Sequence, residues 1–329
     1  MGFKEYVLRK TIYAIITVIA IIILNYFIFL VLPGNPVHLL VQMTAGYKVN
    51  PEQLEYLKKL YGIDQPPLQR FINYFLHAIR FDFGYDLLFE QKPVINVILE
   101  RLPNTILLLG TATIITIILG ISLGVKAASR PGTKFDSAVV FSGLIGYSFA
   151  SWWVGMVLLY FLGYMLRLFP LRGTVSPDIP PGDVVAYIKD LLWHMTLPVT
   201  SLVIVSFGGY ALVVRNILVD ILTEDFIITA RAKGLPERIV LFRHALKAAA
   251  PPIITMVALS FAFIFTGAIL TESVFAWEGM GTLIWQSIQY RNYPVLSGVF
   301  TIVAYLVVLA FYIADFLYGV LDPRIRVGR

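Results

Sequence analysis

Six runs without a single charged residue decide what this chain can become: Ile12–Leu32, Thr105–Val125, Ser137–Leu166, Met195–Val214, Ala248–Thr271 and Tyr293–Ala314. A hydrocarbon layer of roughly 30 Å is crossed by about 20 helical residues rising roughly 1.5 Å each, and every run is long enough. The strands of a membrane barrel would alternate polar and apolar residues over about ten positions, which none of these runs does. A soluble fold would have to bury all six, and a chain that is 58% hydrophobic and 14% charged, with a mean hydropathy of +0.78, lies far outside the soluble range. The first run follows Lys4, Arg9 and Lys10 as a signal peptide would. It is too long for one and no small-x-small cleavage site follows, so it reads as an uncleaved span. The predicted fold is all-α, a polytopic membrane protein with six transmembrane helices.

Orientation follows from lysine and arginine. Placing the N-terminus inside assigns 15 of the 26 to the cytoplasm, among them Lys126, Arg130, Arg215, Arg231, Lys233 and Arg238. Seven more lie in the long segment 33–102, which carries little topological weight, and four (Arg167, Arg172, Lys189 and Arg291) fall in short outer loops. Both termini are therefore expected inside. The net charge of +6 reads as membrane topology and not as a nucleic-acid surface. With no cysteine in the chain, disulfides and thiolate metal sites are excluded.

Two stretches outside the runs carry helical signals. Asn50 is placed to cap a helix with Pro51 at its first position, Leu54, Leu57 and Tyr61 on one stripe and Gly62 at its end, which makes 33–102 a helical extracytoplasmic segment. Phe71, Tyr74, Phe75 and Leu76 form a second pattern, expected to pack on the bundle more than to lie at the lipid interface. The other stretch, on the inner side between the fourth and fifth runs, contains "TARAKGLPER". Thr223 or Asp225 is placed to cap a helix that Gly234 ends in the left-handed region, and Pro236 starts another. Ile227, Ala230, Arg231 and Gly234 share one face, small at Ala230 and Gly234, so a partner could approach it closely. A plain positively charged loop with a turn explains the same residues equally well.

The longer string "EDFIITARAKGLPERIVLFRHAL" resembles the cytoplasmic signature loop of ATP-binding-cassette importer permeases, in the version found in the dipeptide and oligopeptide permease family. "LPGNP", "RFDFGYD", "RLPNT", "TESVFAWEGMGTLI" and "DPRIR" look like further landmarks of that family, in its order along nearly the whole chain. The resemblance implies that the loop is a coupling helix which docks into a separate ATPase subunit. Its docking residues would be Ala230, Arg231, Ala232, Lys233, Gly234 and Leu235. It implies three kinds of partner: a second homologous permease, two ATPase subunits and an extracytoplasmic substrate-binding protein. It also implies a division into residues 1–94, the first span with its extracytoplasmic segment, a permease core at 95–322 and a cytoplasmic tail at 323–329.

No GxxxxGK[ST] phosphate loop occurs, so ATP hydrolysis is expected on partner subunits and this chain is not expected to be an enzyme. No cofactor or metal site is expected either: His38, His77, His194 and His244 lack metal-ligand spacing, and HExxH and GxSxG are absent. Departures from the family pattern are Asn35 and Asn292 where it usually has Asp, Ile228 for Arg and Glu278 for Pro. Asn35, Glu278 and Asn292 are expected on the outer face, where altered charge bears on substrate: short peptides, with oligosaccharides as the alternative. An ion-coupled secondary transporter would need a carboxylate buried at mid-membrane. Asp136, Glu272 and Asp315 are all read as lying near span ends within reach of water, Asp315 beside Arg215 or the N-terminal basic group.

Overall fold

The computed structural model describes residues 3–31, 52, 55, 59, 65–86, 92–180 and 182–321. The expected helix from Asn50 to Gly62 falls mostly outside them, as do Asn35 and the terminal "DPRIR". In chain order the helices are α1 (Phe3–Tyr26), α2 (Pro67–Ile79), α3 (Val94–Ala128), α4 (Lys134–Ser148), α5 (Ser151–Leu158), α6 (Val184–Ile221), α7 (Asp225–Ala232), α8 (Glu237–Ile239), α9 (Leu246–Phe263), α10 (Ile269–Val274), α11 (Met280–Gln289) and α12 (Tyr293–Leu321). Wider π-type turns extend α1 through Phe27–Val31, extend α5 through Leu159–Met165, and join α8 to α9 over Val240–Ala245.

Among the described residues, five helical stretches are long and apolar enough to cross a membrane: Glu5–Val31, Val94–Ala128, Val184–Ile221, Glu237–Thr266 and Tyr293–Phe316. A sixth crossing exists if α4 and α5, with its extension, count as one. The third uncharged run, expected as one span, is two helices meeting at 94°. The backbone is extended at Phe149 and Ala150, so the helical ladder stops and restarts there. No proline marks the break, and the stacked rings of Phe149 and Trp153 sit across it.

The chain divides into two compact units. One holds residues 1–105, 265–273 and 278–329, and the other holds 106–264 and 274–277. In the first, α1 packs along α12, and a buried core draws Ile22 and Tyr26 from α1, Tyr74 from α2, Val94 and Ile98 from α3, and Met280 and Ile284 from α11. Asn25 donates to Thr301 Oγ1 at 3.0 Å and the Tyr74 hydroxyl meets Ser297 Oγ at 2.9 Å, so polar groups on these helices are satisfied by their neighbours. As expected, the aromatic pattern of α2 packs inward at Phe71 and Tyr74, although Leu76 points outward.

In the second unit α6 is the central helix. It begins at Val184, eleven residues before the fourth uncharged run, because Asp183 caps it by accepting from the Ala186 N–H at 2.9 Å. α4 crosses α6 so closely that a Cβ on Gly208 would overlap the backbone of Gly143, and one on Gly146 would lie 2.6 Å from the Ile204 carbonyl. Small residues bring the backbones together where no water-driven hydrophobic force can. The contact is locked at one end by Asp136, which accepts from Arg215 Nη2 at 2.8 Å and from the Gly132 N–H at 2.9 Å. Asp136 is thus buried and paired, not open to water as its position near a run's end suggested.

Candidate docking surface and two charged turns

α7 and the turn after it hold the expected docking residues. The helix stops as predicted, because Gly234 has φ +75°. The Leu235 N–H reaches back to the Ala230 carbonyl at 3.4 Å and the Gly234 N–H to Arg231 at 2.9 Å, the paired bonds of a Schellman stop. Neither expected cap forms at the start. Thr223 Oγ1 donates back to the Asp220 carbonyl at 2.6 Å, and the helix begins after Glu224 without a side-chain cap.

The face shared by Ile227 and Ala230 is turned into the chain itself. Both are buried, with Val214 and Leu218 of α6, Val240 and Leu241. Ala230 is small because its own bundle lies against it, and it offers no surface to a partner. What α7 presents outward is Asp225, Phe226, Ile228, Thr229, Arg231 and Ala232, followed by Lys233 and Gly234 of the turn. Phe226 at 45% and Ile228 at 55% exposure are apolar residues two positions apart, on opposite flanks of the outward face of a polar helix. Arg231 is already engaged. Its guanidinium donates to Glu237 at 2.8 Å and 3.3 Å, and to the carbonyl of Leu222 at the end of α6 at 3.3 Å. It therefore braces α7 to α6 and α8 at once, which leaves Lys233 as the outward charge of the turn.

A second charged turn is built around Glu272, between α10 and α11. Glu272 on α10 is fully buried, and its carboxylate accepts from Thr105 Oγ1 at 3.1 Å and from the N–H groups of Ala268 at 3.3 Å, Gly281 at 2.8 Å and Thr282 at 3.3 Å. Thr105 Oγ1 in turn accepts from the Met280 N–H at 2.7 Å. The first three N–H groups of α11, which no side chain at Gly279 could cap, are thereby all satisfied from α10 and α3. Burial pushes the Glu272 carboxyl above the ordinary carboxylate range, while its four donors oppose that rise. The glycines of "TESVFAWEGMGTLI" follow from this carboxylate: a Cβ on Gly279 would overlap Glu272 Oε2 and Thr105 Oγ1, and one on Gly281 would lie 2.9 Å from Oε2. The expectation that water reaches Glu272 is overturned. The available signal was a carboxylate followed by glycines seven and nine positions later.

The other singled-out residues separate. Asn292 is buried and donates to Asp86 at 2.7 Å, so it is no part of an outer surface. Glu278 is exposed and pairs with Arg101 at 3.3 Å. Asp315 pairs with Lys10 at 2.7 Å, the N-terminal option, since Arg215 is taken by Asp136.

Two family models cover most of the chain. "Binding-protein-dependent transport system inner membrane component" matches residues 116–327, and the corresponding N-terminal model matches residues 3–109. The chain is 33% identical over 321 residues to the oligopeptide transport system permease protein AppB of Bacillus subtilis, covering 98% of this chain and 99% of that one. It is 32% identical over 339 residues to the dipeptide transport system permease protein DppB of Escherichia coli K12, covering 98% of each. It is 31% identical over 361 aligned residues to the peptidoglycan transport system permease protein YejB of Agrobacterium fabrum, again covering 98% of each.

Proposed function

The chain belongs to the family of binding-protein-dependent transport system inner membrane components, and from that premise we propose that it forms half of an import pathway for short peptides. The observation that carries the energy source is the braced turn at α7: a helix held rigidly to α6 and α8, with Phe226, Ile228 and Lys233 facing outward. Such a surface suits a groove on an ATPase subunit, with apolar walls for the first two residues and an acidic group for Lys233. Residues Ala230 to Leu235 are the docking segment, and within it Ala230 and Arg231 act by shaping the turn while Ala232, Lys233 and Gly234 meet the partner. The rest of the complex is a second homologous permease, two ATPase subunits and an extracytoplasmic binding protein.

The proposed topology has six crossings, with α4 and α5 making the third together, and both termini in the cytoplasm. Residues 1–94 carry the first span and an extracytoplasmic segment, 95–322 the permease core, and 323–329 a cytoplasmic tail. Peptide cargo is favoured by the names of the Bacillus and Escherichia relatives. Oligosaccharide cargo is the second reading, because a relative is named for peptidoglycan, whose strands carry both sugar and peptide.

Ion coupling is the rival class, and buried Glu272 is the carboxylate it would have to use. Its carboxylate accepts four hydrogen bonds from its own chain, which favours a structural acceptor over a carrier that gains and loses a proton with cargo, although burial raises its pKa. The test is uptake of a labelled peptide into vesicles holding the complete complex, with ATP on the ATPase side and all gradients collapsed by an ionophore. Uptake is expected to continue. Uptake that stops with the ionophore, or that runs in vesicles holding this chain without an ATPase, overturns the assignment.

A further inference from the structure

At the ends of three membrane-length helical stretches, α3, α6 and Glu237–Thr266, the second unit contains a cavity of about 500 Å³. Arg130, Arg231, Glu237 and Arg238 line it, and Val219 and Phe242 supply apolar wall. Arg231 and Glu237 neutralise each other through their double hydrogen bond. Arg130 and Arg238 remain: neither side chain has an ionic or hydrogen-bonding partner among the described residues. Two exposed, unpaired guanidinium groups lining one cavity make it a favourable place for an anion.

The chemistry of that anion follows from its surroundings. Guanidinium groups bind phosphate oxygens in pairs of parallel hydrogen bonds, which makes arginine the residue suited to a phosphate held at fixed geometry. A fully hydrated ion would gain nothing from Val219 or from Phe242, which is 54% exposed. An amphiphile gains from both halves of the lining. The lining residues nearest the uncharged runs, Ala128, Val219 and Phe242, lie three, five and six positions outside Thr105–Val125, Met195–Val214 and Ala248–Thr271, about 5–9 Å of helix rise. That is the depth of lipid headgroups, where basic pockets between helices hold anionic lipids.

We propose that this cavity is a phosphate site, occupied by the headgroup of an anionic phospholipid whose chains lie along Val219 and Phe242. The bound lipid would fill the space between the end of α3 and the α7–α8 turn, so that the turn's position depends on lipid composition.

The test uses the full chain in its complex, purified into nanodiscs of phosphatidylglycerol and phosphatidylcholine, with retained lipid counted by native mass spectrometry after mild delipidation. The wild type should retain phosphatidylglycerol in preference to phosphatidylcholine. Arg130→Gln with Arg238→Gln should weaken that retention by about thirty-fold for the two charges removed. Lys134→Gln with Lys247→Gln removes as much charge outside the cavity and should retain lipid as the wild type does. A second arm uses phosphatidylcholine alone with millimolar inorganic phosphate and follows thermal stability. A stabilisation that disappears in the arginine variant assigns the site to free phosphate, and retention of phosphatidylglycerol without that stabilisation assigns it to lipid. Both results support a phosphate site at these arginines. The site is overturned if the arginine variant, monodisperse on gel filtration, keeps phosphatidylglycerol like the wild type and shows no altered response to phosphate. Equal lipid loss in the lysine control overturns it too, since general surface charge would then explain the binding.

Discussion

The turn between α10 and α11 and the turn between α7 and α8 use the same device in opposite surroundings. In each, one charged side chain reaches across a helix break to hold backbone and side-chain groups on neighbouring elements. Glu272 does so with no exposure to solvent and with four donors. Arg231 does so with its side chain 41% exposed and its partner Glu237 69% exposed. Where water is excluded, a lost partner leaves buried groups unsatisfied, at about 1–3 kcal/mol each. Where water has access, it replaces the lost partner, and exposed ion pairs are worth about 0–1 kcal/mol. The first turn is therefore fixed by stability. The second is held more loosely, which suits the docking surface proposed for it.

Glu272→Ala should have the largest effect. It removes the acceptor for Thr105, Ala268, Gly281 and Thr282 together and leaves a cavity. Several kcal/mol is a large part of a domain's total stability of about 5–15 kcal/mol. Folded chain in the membrane should fall at least tenfold, read by fluorescence-detected gel filtration. A wild-type yield would break the contrast at its stronger side.

Next come two glycine variants that separate space from backbone conformation. Gly279 has φ −116°, which any residue adopts, but no room for a Cβ beside Glu272 and Thr105. Gly234 has φ +75° and nothing within 4 Å of a Cβ. Gly279→Ala should cost about 1–3 kcal/mol by overpacking, and Gly234→Ala roughly 1 kcal/mol by strain in the left-handed region. Asparagine tolerates that region, so Gly234→Asn should recover most of the loss while Gly279→Asn should be worse than alanine. Melting temperatures of the four variants check this, and equal ranking of alanine and asparagine at both sites would erase the distinction.

These turns also mark where sequence stops being informative. The stop at Gly234 was legible because a helix break with a positive φ nearly demands glycine. The crossings were legible because charge-free length leaves few alternatives. The third run hid its 94° bend because Ser148 to Ser151 contain neither proline nor glycine. Ala230 shares a face with Ile227 as its spacing predicts, but that face packs on the chain itself, since smallness serves a chain's own packing as well as a partner's approach. Glu272 resembles the charged end of a span in sequence, while its role lies in donors from Thr105, 167 positions earlier, and from Gly281 and Thr282 downstream. Asn292 looked like an outer-surface change for the same reason: its partner Asp86 is 206 residues away.

The smallest effect on stability, and the sharpest on function, is expected at Arg231. Arg231→Glu sets two carboxylates side by side and removes the donor to the Leu222 carbonyl, yet both sites are open to water, so the melting temperature should shift by no more than about 1 kcal/mol implies. Peptide uptake should nevertheless fall, because α7 loses its tie to α6 and α8 and no longer presents Phe226, Ile228 and Lys233 in a fixed arrangement. The exchanged pair, Arg231→Glu with Glu237→Arg, restores opposite charges across the turn and should recover a large part of uptake, with ATPase co-purification recovering in parallel. Recovery is the reading that separates a brace from a direct contact: a residue that bonded the ATPase itself would stay inactive after the exchange, since its charge toward the partner is still reversed. No such exchange is open to Glu272, whose partners are backbone N–H groups and a hydroxyl. If the exchanged pair stays inactive while the complex remains folded, Arg231 meets the partner directly and the two turns differ in kind, not only in exposure.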